Sequence, residues 1–183
     1  GGINGKQIEY KFEDDQADSE KSVNAYNTLK DWGMQALIGT TTSTPCTAVV
    51  EETHSDNMFQ LTPSATAVDS IQYDNAFRMC FSDPNQGSAS ADYIAENKLA
   101  TKVAIIYNSS DTYSSGIYQT FATEANAKGL DVVAAEAFTA DNKTDFSVQI
   151  QKAKDAGAEL VFLPIYYQEA SLILAQANKA GFT

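Results

Sequence analysis

The sequence predicts an α/β protein built on parallel sheet, and three observations carry that expectation. Short apolar stretches alternate with helical periods of ten or more residues, the pattern of repeated βαβ units. Three helical stretches close on a glycine (Gly129, Gly157 and Gly181) one or two residues before the next apolar stretch, as left-handed caps feeding strands would. Apolar residues make up 43% of the 183, enough for a packed core and too many for a disordered chain.

The elements follow in order. Lys6–Phe12 alternates apolar and polar residues through Ile8, Tyr10 and Phe12 and is expected to be a strand. Ser19 is the expected N-cap of a helix carrying Val23, Tyr26 and Leu29, stopped at Gly33. Gln35–Ile38 is a short strand before Gly39. The hydroxyl run Thr40–Thr44 leads into Pro45, expected at the first position of a helix capped by Thr44 and running to about His54. Met58–Leu61 and Ala76–Phe81 are the next strands, with Thr62–Thr66 a loop between. Asp83-Pro84 opens a helix towards Asn97, and Lys102–Tyr107 is a strongly apolar strand. Asn108–Ser115 is a polar loop and Ile117–Ala127 a helix. Leu130–Ala137 and Glu159–Leu163 are strands, each followed by a helix, Phe146–Ala156 and Gln168–Ala180. The chain opens just ahead of a strand with no βα unit before it, and stops where another strand is due. It therefore reads as an excerpt of a longer protein, with Phe81–Gln86 the best candidate for a crossover between domains.

Charge removes several functions. Twelve Lys and Arg against 24 Asp and Glu give a formal charge of −12, and the single Arg is Arg78. Nucleic-acid binding and docking on an anionic membrane both need clustered cations, and neither is expected. The longest apolar runs fall far short of the ~20 residues that span a bilayer, so no membrane insertion is expected of this chain. Cys46 and Cys80 do not make a disulfide scaffold; a bridge between them stays open, and two free thiols are the readier reading.

In open parallel sheets ligands bind at the carboxyl ends of strands, so the loops there are where function is sought. Glu13-Asp14-Asp15 could suggest a Mg²⁺ site, but the later strands end without the Asp and Lys such a site requires. Thr40–Thr44 offers more hydroxyls than one cap needs, at the positive end of a helix, and suits a carboxylate or phosphate. It lacks the glycine and lysine pattern of a nucleotide loop. Thr62–Thr66 is a Pro-fixed turn with small residues around it. Tyr113, in Asp111–Ser114, and Tyr166, in Pro164–Tyr167, can supply flat apolar walls with polar tips. No Gly-x-Ser-x-Gly occurs, and the lone His54 fits a surface helix position rather than a triad. No catalytic, metal or cofactor-binding group is expected. Asn108-Ser109-Ser110 and Asn142-Lys143-Thr144 match a glycosylation sequon that matters only in a eukaryotic secretory context.

Several of these residues, taken in chain order, resemble a known family. Gly1-Gly2-Ile3-Asn4-Gly5-Lys6 followed by Glu13-Asp14-Asp15 is similar to the opening of the periplasmic branched-chain amino-acid-binding proteins, the type I solute-binding proteins of ABC importers. So are Ile38-Gly39 with its Thr/Ser loop, Thr62-Pro63-Ser64-Ala65-Thr66, Phe77-Arg78 with Asp83-x-x-Gln86-Gly87, the Asp111–Gly116 loop and Tyr166-Tyr167-x-Glu169. The resemblance implies two doubly wound parallel-sheet lobes joined by crossovers, about Gly1–Ser82 (incomplete) and Asp83–Thr183, closing on an amino acid. It implies that Thr42 and Ser43 take the ligand carboxylate. Ser64, Ala65 and Thr66 take the ammonium, through the Ser64 carbonyl and the Thr66 hydroxyl, and Tyr113 and Tyr166 come from the second lobe. It also implies an ABC permease as partner and a periplasmic or extracellular location, with lipid anchoring as one option. Two departures stand out: no Cys occurs between Asp14 and Lys30 to match the relatives' first-lobe disulfide, and Ser64 stands where relatives often carry Ala. A ligand-sensing domain of a signalling receptor on the same fold is the alternative, because fold does not dictate function.

Overall fold

The computed structural model describes residues 2–182, so Gly1 of the opening landmark and Thr183 lie outside the described residues. The chain divides into two compact units, one of residues 1–65 with 69–80, the other of 66–68 with 81–183. Each contains a three-stranded sheet in which every strand pair is parallel. The α/β class with parallel sheet is what the sequence predicts.

Unit 1 starts with helix α1 (Ser19–Trp32). The cap is Asp18, not Ser19: its carboxylate accepts the Lys21 amide at 2.9 Å, and an ionised oxygen is the better partner for the positive helix end. Gly33 ends the helix at φ +98°, a conformation other residues adopt only with strain. Strand β1 (Leu37–Ile38), helix α2 (Ser43–Ser55), strand β2 (Gln60–Thr62) and strand β3 (Ala76–Arg78) follow, with a short 3₁₀ turn at Val68–Ile71. The strand order is β1-β2-β3. Tyr26 and Leu29 of α1, Leu37 of β1 and Val49 of α2 form the apolar core.

Two expectations fail here. Lys6–Phe12 is not a strand; an isolated antiparallel bridge joins Ile3 to Lys6, and Ile8, Tyr10 and Phe12 are 64%, 75% and 83% exposed. Alternation favours a strand, but a strand exists only with a neighbour to complete its ladder. Helix α2 starts at Ser43 with Thr42 at the cap position, two residues before the expected start, and Pro45 lies inside the first turn. That turn tolerates Pro because its N–H groups have no intrahelical acceptor. A cavity of about 220 Å³ in this unit lies among the extended Lys11–Asp15 segment, Tyr26 and Leu29 of α1, and the outer edge of β1.

Unit 2 is larger and more regular. Helix α3 (Asp83–Glu96), strand β4 (Lys102–Asn108), helix α4 (Thr112–Ala127), strand β5 (Asp131–Phe138), helix α5 (Ser147–Asp155), strand β6 (Leu160–Phe162) and helix α6 (Tyr167–Lys179) succeed one another. The order is β5-β4-β6, with β4 in the middle. Successive residues of β4 face opposite sides. Val103 and Ile105 pack with Ala91 and Ile94 of α3 and Phe121 of α4, whereas Ile106 packs with Ile150 of α5 and Ile173 of α6. Helices therefore cover both faces, the doubly wound arrangement. Gly129, Gly157 and Gly181 all have positive φ, as the predicted left-handed caps require. Helix α4 starts inside the segment expected as a loop, because Asp111 caps it by accepting the Ser114 amide at 3.0 Å. Serines and threonines in its first turn disguised that start. Cys46 and Cys80 are not joined by a disulfide.

Candidate functional site

In unit 1 the sheet order makes the loops after β1 and β2 neighbours at the carboxyl end. The first carries Thr42 and Ser43, the second Ser64 and Ala65. Ser43 and Ala65 are buried, Thr42 is half-buried and Ser64 is exposed. Thr42 occupies the cap position of α2, yet its side chain makes no capping hydrogen bond. The hydroxyl oxygens of Thr40 and Thr42 are both buried without a partner in the chain. Buried polar atoms are nearly always satisfied, so two orphan hydroxyls in one loop at a helix start mark a place suited to a polar ligand group.

Beneath these loops lies a buried polar layer that the sequence reading did not single out. Gln60 and Thr62, both fully buried, stand on the central strand β2. The Thr62 hydroxyl donates to the Thr40 carbonyl at 2.6 Å and accepts from the Ala65 amide at 3.0 Å. The Gln60 amide nitrogen donates to the Gly39 carbonyl at 3.1 Å and to Cys46 Sγ at 3.4 Å. Its oxygen accepts from the Thr53 hydroxyl at 2.7 Å, and Asn75 donates to Thr53 at 3.2 Å. The available signal was a glutamine in the otherwise apolar stretch Met58–Leu61.

In unit 2 the aromatic pair comes together. Strands β4 and β6 are hydrogen-bonded neighbours, so the segments leaving their carboxyl ends are adjacent. Tyr113, in the first turn of α4, stacks on Tyr166, the cap residue of α6, with ring centroids 5.1 Å apart and 23° between planes. The Tyr113 hydroxyl accepts from the Gln86 side chain of α3 at 3.3 Å. Burial first, then the charge of Asp111, Tyr113 and the charge of Asp83, push the Tyr166 hydroxyl pKa upward. It thus remains a protonated donor throughout the physiological range. Asp83 is 2% exposed, and its carboxylate lies where a side chain on Gly116 would begin, 2.9 Å from that position. Thr66 is buried and belongs to this unit, where its carbonyl accepts the Asp83 amide at 2.9 Å.

The structure thus joins the 40–43 loop to Ala65 within unit 1, and Tyr113 to Tyr166 within unit 2. His54 does not belong to either group; it stacks on Tyr73 at 3.9 Å, and Tyr73 donates to Glu51 at 2.7 Å. Among the described residues, no three His, Cys, Asp or Glu side chains converge to hold a metal ion. No helix among them is long and apolar enough to cross a membrane.

A parallel doubly wound unit with polar loops at its strand ends is the architecture of ligand-binding α/β proteins, and comparison with known proteins narrows the class. The model of the periplasmic binding protein family matches residues 1–183, and the chain belongs to that family. A Leu/Ile/Val-binding protein homologue from Brucella melitensis is 32% identical over 183 residues, covering 99% of this chain and 49% of its own length. The leucine-, isoleucine-, valine-, threonine- and alanine-binding protein of Pseudomonas aeruginosa is 31% identical, with 99% of this chain and 48% of its own length covered. Among solved structures, the branched-chain amino-acid transporter substrate-binding protein LivJ of Streptococcus pneumoniae, in complex with isoleucine, superposes with a TM-score of 0.91. It is 29% identical and covers all of this chain and 52% of its own. The chain spans about half the length of the curated relatives it matches. Those relatives are amino-acid-binding proteins rather than enzymes.

Proposed function

We propose that this chain is part of an extracytoplasmic substrate-binding protein of an ABC importer, with an aliphatic amino acid as ligand. The observation that carries the proposal is the pair of buried, unpartnered Thr40 and Thr42 hydroxyls at the start of α2. An α-carboxylate suits that place, because a helix start attracts negative charge and its hydroxyls can donate. Thr42 and Ser43 would take the carboxylate, and Ser64, Ala65 and Thr66 the ammonium. Tyr113 and Tyr166 would supply aromatic surface from a second lobe. On this reading the first lobe is about residues 1–82 and the second about 83–183, the partner is a membrane permease, and the location is periplasmic or extracellular, with or without a lipid anchor. The names of the Brucella, Pseudomonas and Streptococcus relatives support leucine, isoleucine and valine as the first ligands to try.

Calorimetric titration of the full-length chain tests the proposal. Leucine, isoleucine or valine should bind, and a hexose or nucleotide should not. Ser43→Ala and Thr66→Ala should each lose a hydrogen bond to a charged ligand group, about 1.5–3 kcal/mol, or roughly tenfold to a hundredfold in affinity. Binding of a sugar without any amino-acid response would overturn the ligand class. Parental affinity in both variants would mean the site lies elsewhere.

A further inference from the structure

We propose that Thr62 and, secondarily, Gln60 are positioning residues of the amino-acid site. From the central strand they clasp the Gly39–Ser43 loop to the turn at Thr62–Ala65. The inference rests on the functional reading above and adds residues that touch no ligand.

The argument begins with a cost. A primary amide and a hydroxyl in a strand interior have to be desolvated, and apolar residues there would add to the core instead. Unit 2 takes the apolar course: Val103, Ala104, Ile105 and Ile106 of its central strand are all fully buried. Unit 1 places Gln60 and Thr62 at the equivalent depth. The Thr62 hydroxyl and the Gln60 amide nitrogen find their partners in the two loops and at the start of α2, while the Gln60 oxygen is held by Thr53 further along that helix.

The direction of each bond is also consistent. A hydroxyl has one proton; Thr62 gives it to the Thr40 carbonyl and uses a lone pair for the Ala65 amide. One oxygen thereby sets the spacing of the two loops. Gln60 uses its two amide protons on Gly39 and on Cys46 in the first turn of α2, so the loop is held at its start and at the helix it enters. Thr53 and Asn75 hold the Gln60 side chain in that orientation. The Thr62 methyl can contribute to packing, but packing alone would not require the hydroxyl. The clasp and the packing role therefore separate in Thr62→Ser and Thr62→Val.

Both variants are made in the full-length chain and read in two ways: isoleucine titration, and backbone amide hydrogen exchange without ligand. Thr62→Val keeps the shape and removes both loop bonds; affinity should fall about tenfold or more. Exchange should quicken at residues 40–43 and at Ala65 but not in α1. Thr62→Ser keeps the hydroxyl and should stay within about threefold of the parent, with both loops still protected. Parental affinity in Thr62→Val, or unchanged exchange in the two loops, would overturn the clasp. So would equal losses in the serine and valine variants, which indicate packing. A parent that binds no aliphatic amino acid would refute the functional reading, and the exchange measurement would still decide on the clasp. Should Thr62→Val not fold, Gln60→Met carries the same two measurements, with an expected loss of about threefold or more and faster exchange at 40–43.

Discussion

The central strands of the two units use burial in opposite ways. Strand β4 is apolar across four consecutive buried residues, with helices on both faces, and the groups suited to a ligand begin only beyond its end, at Tyr113. Strand β2 presents Gln60 and Thr62 to the interior, and unit 1 draws its apolar core mainly from α1 and α2. A central strand can supply stability or hold loops in place, and the same positions rarely serve both. Unit 2 should therefore be the more tolerant of polar changes at its strand ends, and unit 1 the more tolerant of methylene loss along its central strand.

The largest expected effect comes from removing apolar volume in unit 2. Phe121 is fully buried and stacks on Phe162 at 4.1 Å. Phe121→Ala should destabilise by about 3–5 kcal/mol, whereas Thr53→Val in unit 1 should cost about 1–3 kcal/mol by leaving Gln60 and Asn75 short of a partner. Urea titration followed by circular dichroism and by Trp32, the single tryptophan and a residue of unit 1, separates the two. Equal costs would break the comparison.

A middle-sized effect belongs to the packing of α3 on α4. A Cβ on Gly87 would fall 2.1 Å from Thr120 Oγ1, 2.7 Å from the Ile117 carbonyl oxygen and 2.8 Å from the Phe121 nitrogen. Two of those atoms are backbone and cannot swing aside. Gly87→Ala should thus destabilise by about 1–3 kcal/mol, outweighing the ~0.5–1 kcal/mol that alanine normally gains in a helix. A raised urea midpoint would contradict the close approach.

The smallest effect is a dependence on pH in unit 1. Hydrogen bonds from Lys30 and Tyr26 hold the Asp56 carboxyl below the ordinary carboxylate range. A depressed folded value means that the contribution is complete above the unfolded pKa of about 4 and disappears as pH falls through the folded value. Asp56→Asn should accordingly flatten the acid side of the stability curve and leave its neutral side lower. Melting curves between pH 6 and 2 in roughly unit steps check this; an unchanged acid limb would remove Asp56 as a contributor.

The fold was legible in the sequence where local rules agree. The apolar run Val103–Ile106, the glycines at 129, 157 and 181 and the Asp83-Pro84 start all fall where the structure has a strand, left-handed residues and a helix. It was misread where a long-range partner decides. Ile8, Tyr10 and Phe12 alternate as a strand would, but pairing is a property of a neighbour and not of the segment. For the site, the hydroxyl run and the two tyrosines were visible as composition. The stacking of Tyr113 on Tyr166 follows from the β5-β4-β6 order, which composition does not contain. Gln60 falls inside the expected strand Met58–Leu61 and Thr62 inside the expected loop Thr62–Thr66, so nothing local marks either as a buried anchor; their partners are 14 to 22 positions earlier and 3 to 7 positions away.

The outer edge of β1 has a temporal consequence. Leu37 and Gly39 direct their amides to β2, so the intervening Ile38 points its backbone the other way, and no strand among the described residues meets it. Beside it lies the 220 Å³ cavity, which the exposed Phe12 also lines. Such an edge recruits whatever extended backbone arrives first. Covering by a segment of the same chain would be unimolecular and independent of concentration, whereas pairing with another copy rises with crowding on the same polysome. Yield should therefore depend on expression rate more steeply than on folded-state stability.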